Sequence, residues 1–308
     1  MALNERTDAR LSAFDRILYR SPSVAVGAFR CRRAHPLFSD SGPIENDVFV
    51  FPRTRVGIAH AGGRRFTADP AVVTLYNRGQ LYARTAVDDA DRSDWFAVDR
   101  TLALEAVRTH EPDRDGRPFR FDHAASTAPA YLLQRALFER LSAGGPVDAL
   151  LVEETVVRLL DLVLAGAYAA RPAHTERRDE DAEHAIVERA RVAIGARYAE
   201  DVPLAALARA VGASRSRLCR VFRRRTGTTL HAYRDGLRLR AALEALPGRD
   251  DLTGLALDLG YASHSHFGAR FRRAFGMSPS EARRLSSGSV PTGTLPAAIG
   301  FEGSRGRA

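Results

Sequence analysis

The chain has 308 residues, 46 of them basic and 37 acidic, for a formal net charge of +9, and 45% of it is apolar. That length predicts two globular units with ordinary cores, not a fibrous or disordered chain. No apolar run approaches the roughly 20 residues of a membrane span and MALNERTDAR is too polar to begin a signal peptide, so the expectation is a cytoplasmic protein with no membrane partner.

From Val24 to Val98 the sequence reads as β structure. SVAVGAFRCR, DVFVFPRTRVGIAH, RRFTA and AVVTLYNRGQLYART cluster or alternate β-formers, and Pro52, Gly62-Gly63, Asp69-Pro70 and Asn77-Arg78-Gly79 punctuate them. Several short antiparallel strands with tight turns predict a small barrel. Phe49, Phe51, His60, Phe66, Tyr76, Tyr82 and Trp95 are the candidate lining of a small-molecule pocket inside it. Alternation sends about half of such a set inward, and each also reads as ordinary core. His35, His60, His110 and His123 are scattered, with no HxH pair among them. The HxH pair His264 and His266 falls on a predicted helix, where its rings point about 200° apart. The reading is therefore no metal site and no cofactor. With no G-x-S-x-G, Walker loop or CxxC pair, no catalytic constellation is expected either.

Two helices follow, Pro129 to Ser142 and Val147 to Ala170, with Gly144-Gly145-Pro146 as the turn of a hairpin. Leu132, Leu133, Leu137, Leu150, Leu151, Val156, Leu159, Leu160 and Val163 recur at helical spacing. One apolar face of the hairpin is expected to seal the barrel, and another is left for a partner or for packing within the chain. Residues 171 to 182, RPAHTERRDEDA, lack periodic apolar positions and read as a linker, and the Gly/Ser/Pro-rich tail from 286 to 308 reads as disordered.

Between these segments one pattern occurs twice. LAALARAVGASRSRLCRVFRRRTG from Leu204 and LTGLALDLGYASHSHFGARFRRAFG from Leu252 share Leu204/Leu252, Leu207/Leu255, Ala208/Ala256 and Gly212/Gly260. After one inserted residue Leu218/Phe267, Phe222/Phe271, Arg223/Arg272, Arg224/Arg273 and Gly227/Gly276 realign, as in a duplicated unit. Small Ala208 and Ala256 suit a close helix crossing, Gly212 and Gly260 a left-handed cap, and Ser214 and Ser263 an N-cap. The first copy then presents Ser216, Arg220 and Arg223 opposite its apolar stripe, with Cys219 on the flank, and the second presents Ser265, Ala269 and Arg272. Arg217, Arg224, Arg225, Arg270 and Arg273 surround these faces within reach of phosphates. Residues 185–285 hold 19 arginines against 9 acids, whereas 1–184 hold 25 against 27. The positive charge is thus a property of one unit, which favours a polyanion.

Residues 183–285 carry this duplication and resemble the DNA-binding domain of the AraC family of transcriptional regulators. The resemblance implies two helix-turn-helix units joined by a long helix, here Thr229 to Leu246, whose roughly 27 Å would hold two recognition helices in successive major grooves. It also implies base contacts at Arg215, Ser216, Cys219 and Arg220 in the first unit, and at His264, Ser265, Gly268 and Ala269 in the second. Arg220 suits bidentate contact with guanine, whereas Gly268 and Ala269 offer little to a base edge, so the first unit is expected to carry most readout. Ala282 stands where the family usually carries an aromatic. FPRTRVGIAHAGGRRFTADPAVVTLYNRGQLY is similar to the cupin-like sensor domain of many such regulators.

The implied organisation is α+β: a cupin-like β-barrel over 1–122, a helical hairpin over 123–170, a linker over 171–182 and the double helix-turn-helix over 183–285. The implied function is a bacterial, effector-responsive activator that binds operator DNA and contacts RNA polymerase, with a small-molecule effector and a homodimer as further partners. A cupin-type enzyme or a DNA-repair methyltransferase fused to this domain are the alternatives. One needs a histidine cluster and the other a reactive cysteine site, and the two isolated cysteines, Cys31 and Cys219, do not supply the latter.

Overall fold

The computed structural model describes residues 14–39, 43–169 and 177–286. Its N-terminal half is built on nine strands: β1 (Asp15–Arg20), β2 (Val24–Arg32), β3 (Asp47–Pro52), β4 (Val56–His60), β5 (Phe66–Ala68), β6 (Val72–Tyr76), β7 (Tyr82–Ala86), β8 (Ala90–Val98) and β9 (His123–Ala125). They form two antiparallel sheets, of order β1-β2-β8-β3-β6-β9 and β5-β4-β7. This corrects the expected barrel: the two sheets do not close on each other. Between β3 and β4 the chain leaves one sheet for the other at Pro52, which has no N–H to continue a ladder.

The hairpin is present as α2 (Ala128–Ser142) and α3 (Ala149–Ala169), preceded by α1 (Arg100–Arg108), which the sequence reading did not identify. Thr127 caps α2, its hydroxyl accepting from the Ala130 N–H at 3.3 Å. The apolar stripe of the hairpin lies mostly inside: Leu133, Leu137, Val156, Leu159, Leu160 and Val163 are buried in one core with Val26, Phe49, Phe51 and Phe96 of the large sheet. Leu150 alone among the nine stripe residues is exposed, at 72%.

The C-terminal half is helical: α4 (Arg177–Ala196), α5 (Leu204–Val211), α6 (Arg215–Thr226), α7 (Leu230–Ala245), α8 (Leu252–Asp258), α9 (His264–Phe275) and α10 (Pro279–Ser286). Because α4 begins at Arg177, the segment read as a linker is helical in its second part, and its residues 171–176 lie outside the described residues, as does the tail from 287. Charged RRDEDA hides this helix, whose apolar side (Ile186, Val187, Ala190, Ile194) begins only further on. α10 forms although Ala282 replaces the aromatic, and Ala282 is buried.

The two halves share a core. Leu239, Ala242 and Leu243 of α7, with Leu255, Phe267 and Phe271 of the second helix-turn-helix, belong to the same buried cluster as α2, α3 and the large sheet. The first helix-turn-helix has its own cluster with α4. Polar links cross the same boundary: the Tyr233 hydroxyl donates to the buried Asp69 carboxylate, and Tyr131 donates to Glu244 at 2.9 Å. Arg135 reaches both Asp94 (3.1 Å) and Glu244 (3.2 Å), and Arg53 also pairs with Glu244.

Candidate nucleic-acid interface

The two repeats fold into the same local structure for the same reasons. α5 ends at Gly212 (φ +69°), and the loop after α8 turns at Gly260 (φ +79°), both in the left-handed region open to glycine. Ser214 caps α6 by accepting from the Arg217 N–H at 3.2 Å, and Ser263 caps α9 by accepting from the His266 N–H at 3.1 Å. Leu218 and Phe222, like Phe267 and Phe271, are fully buried, and Ala208 and Ala256 sit buried where the helices cross. Gly227 (φ +71°) and Gly276 (φ +74°) end α6 and α9.

On α6 the residues named from sequence, Arg215, Ser216, Arg217, Cys219, Arg220, Arg223 and Arg224, are all exposed. Ser216, Arg220 and Arg223 share one face at helical spacing. Arg224 is ion-paired with Glu183 of α4, and Arg225 lies 3.1 Å from the same carboxylate, so these two tie α6 to the helix behind it. On α9 His264, Ser265, Ala269, Arg272 and Arg273 are exposed and Gly268 is half-buried. Arg270 faces inward instead. Its guanidinium holds Asp235 of α7, which raises its pKa further, and Asp235 also accepts from the Tyr261 hydroxyl at 3.0 Å.

Asp235 and Arg238 were missed in the sequence. Arg238 donates to Tyr198 O (2.6 Å), Ala199 O (3.2 Å) and Gly260 O (2.8 Å), clipping the α4–α5 connection to the turn of the second unit. The available signal was a charged residue on the apolar side of a helix, four positions from Arg234. α7 spans 16 residues, about 24 Å at 1.5 Å each, close to the length expected from Thr229 to Leu246.

The candidate effector residues divide. Tyr76, Tyr82 and Trp95 line a cavity of about 190 Å³ between the sheets, together with Val48, Val50 and Ile58. Phe49 and Phe51 lie on the opposite face of β3 and pack under the helices. His60 and Phe66 sit beside it: His60 Nδ1 is 2.7 Å from Asp122, and Phe66 stacks on His123 at 4.3 Å. Polar lining residues missed in the sequence are Asp15, Arg84 and Asp91. Burial pushes the Asp15 carboxyl up to about 6, opposed by the Trp95 indole N–H that it accepts at 2.9 Å. The indole lies where a Cβ on Gly27 would be, 2.3 Å from that position, so Gly27 leaves it room. Arg84 is buried over the Phe29 ring at 4.4 Å and lies 3.4 Å from Asp91. Among the described residues no group of three His, Cys, Asp or Glu could hold a metal ion, and no helix is long and apolar enough to cross a membrane.

Residues 207–285 match the family described as "Helix-turn-helix domain". Over 88 residues the chain is 39% identical to the HTH-type transcriptional activator RhaS of Escherichia fergusonii, a stretch that is 28% of this chain and 32% of RhaS. The chain thus spans about a third of the length of that curated relative. Among solved structures it is similar to a Chromobacterium violaceum transcriptional regulator with an AraC-type DNA-binding domain, at 28% identity over 33% of this chain and 93% of that one, TM-score 0.32. It is also similar to ToxT of Vibrio cholerae O395, at 13% identity over 87% of this chain and all of that one, TM-score 0.33. With the capped, duplicated helices described above, the match makes residues 207–285 a helix-turn-helix domain.

Proposed function

We propose that the chain is an AraC-type transcriptional regulator that reads operator DNA through α6 and α9 in successive major grooves. The observation that carries this reading is the arginine face of α6. Ser216, Arg220 and Arg223 stand exposed on a helix capped at both ends and buried behind, in a domain whose charge is strongly positive. Arg220 reads a base, and Arg272 and Arg273 grip phosphates, while Ala269 leaves α9 with less to read. RhaS is named an activator, which favours activation through RNA polymerase. The cavity beside Trp95 is the effector site in this reading, its apolar walls and the Arg84–Asp91 pair supplying shape and orientation.

Selection of bound sequences from a random DNA pool tests the reading. The full chain should enrich a motif spanning two adjacent major grooves, and Arg220→Ala should blur one position of it. Salt-sensitive binding to all DNA, with no motif enriched, overturns it.

A further inference from the structure

The cavity between the sheets holds more carboxylate than cation. Asp15, Glu45 and Asp91 line it, against Arg20 and Arg84. Exposed Arg20 and half-buried Glu45 bring one charge of each sign. That leaves the Arg84 guanidinium, which is buried, to face both Asp15 and Asp91. Its Nη1 lies 3.4 Å from Asp91 Oδ2, while among the described residues Asp91 Oδ1 is buried with no hydrogen-bond partner. Asp15 Oδ1 accepts from the neutral Trp95 indole at 2.9 Å.

One guanidinium does not compensate two carboxylates. Burial pushes both carboxyls up and outweighs the pull of Arg84 on each, and Asp91 adds to the push on Asp15. Asp15, at about 6, is nonetheless ionised at neutral pH. The surrounding rings suit a cation. The Arg84 guanidinium already lies over Phe29 at 4.4 Å, with Phe38 at 5.6 Å and Tyr82 at 6.0 Å. Phe29 stands opposite Asp15 in the β1–β2 register, and Tyr76 and Trp95 add two more rings to the lining. A cavity of about 150 Å³ accepts a benzene ring, so one of about 190 Å³ has room for a ring with a short side chain.

We infer that this cavity binds an organic cation, a protonated amine on a single-ring apolar body, with its ammonium beside Asp15 and its ring among Val50, Ile58 and Tyr76. The ammonium supplies the positive charge that Arg84 cannot share between two carboxylates. The inference names the ligand class of the site read above as the effector site. Binding is measured without DNA, so a failed DNA selection leaves it standing, and tight binding of an uncharged probe leaves the cavity a ligand site while removing the cation.

The test is calorimetric titration of the full chain at neutral pH with phenethylamine, the uncharged phenethyl alcohol and the anion phenylacetate. One equivalent of the amine should bind at least tenfold more tightly than either of the others. Trp95 is the one tryptophan and lines this cavity, so its emission should change in step with binding. Asp15→Asn keeps an oxygen for the indole N–H and removes the charge. It should erase the preference for the amine and leave the alcohol as it was. Val50→Phe, which fills the cavity without altering a charge, should weaken amine binding at least tenfold. Equal or tighter binding of the alcohol or the acid, a preference for the amine that survives Asp15→Asn, amine binding that survives Val50→Phe or leaves Trp95 emission constant, or no binding of any probe at millimolar concentration overturns the inference.

Discussion

The two helix-turn-helix units share a motif and differ in what stands behind them. The first rests on α4 in a cluster of its own, with Glu183 holding Arg224 and Arg225. The second is continuous with the core of α2, α3 and the large sheet, and Asp235 holds α9 to α7. Caps and apolar spacing define each unit locally, but the partner surface decides how freely it moves. The unit with the more arginine-rich exposed face is the one not built into the N-terminal core.

The strongest way to break this comparison is to open a hole in each unit. Phe222→Ala and Phe271→Ala should each cost about 3–5 kcal/mol. Deuterium uptake should rise in α4 for the first and in α2 for the second, and the same spread for both variants would erase the distinction.

The two turn glycines sharpen it. Gly212→Ala adds a Cβ with no atom within 4 Å, so only left-handed strain of about 1–2 kcal/mol is expected. At Gly260 the Cβ would lie 1.9 Å from Ala199 O, and the clash should bring the loss to about 2–4 kcal/mol in urea unfolding.

Acid probes the support of the first unit. Burial, reinforced by the Arg191 guanidinium of α4, pushes the His123 imidazole down to about 3. The fold therefore favours the neutral ring. That contribution is complete above the ordinary value near 6.5 and is lost progressively as pH falls through about 3. His123→Gln should flatten stability over that window.

The smallest expected effects lie on DNA. Arg220→Ala should cost about 1–3 kcal/mol on the selected site and relax its sequence preference, whereas Arg272→Ala should weaken all DNA alike and lower the salt slope by about one. Equal losses on selected and random DNA for Arg220→Ala would remove its base-reading role.

Much of the C-terminal half was legible because its signals are local. Ser214, Ser263, Gly212 and Gly260 cap within a few residues of the helices they serve, and Thr229 is the N-cap of α7 where the joining helix was expected to start. The N-terminal half was legible as strands but not as a surface. In DVFVFP both faces of β3 are apolar, since Val48 and Val50 line a cavity while Phe49 and Phe51 meet helices, so alternation says nothing about which side is which. Whether a sheet closes depends on pairings between distant strands. The bond from Tyr233 to Asp69 joins residues 164 apart, and no periodicity announces it.

The two cysteines have a practical consequence. Cys31 is 1% exposed, while Cys219 is exposed on the flank of α6. The unmodified chain thus presents, among its described residues, a single accessible thiol beside the face proposed to enter the groove. A duplex seated there shields Cys219 from alkylation, so the rate of maleimide capture maps where α6 docks, with no substitution made.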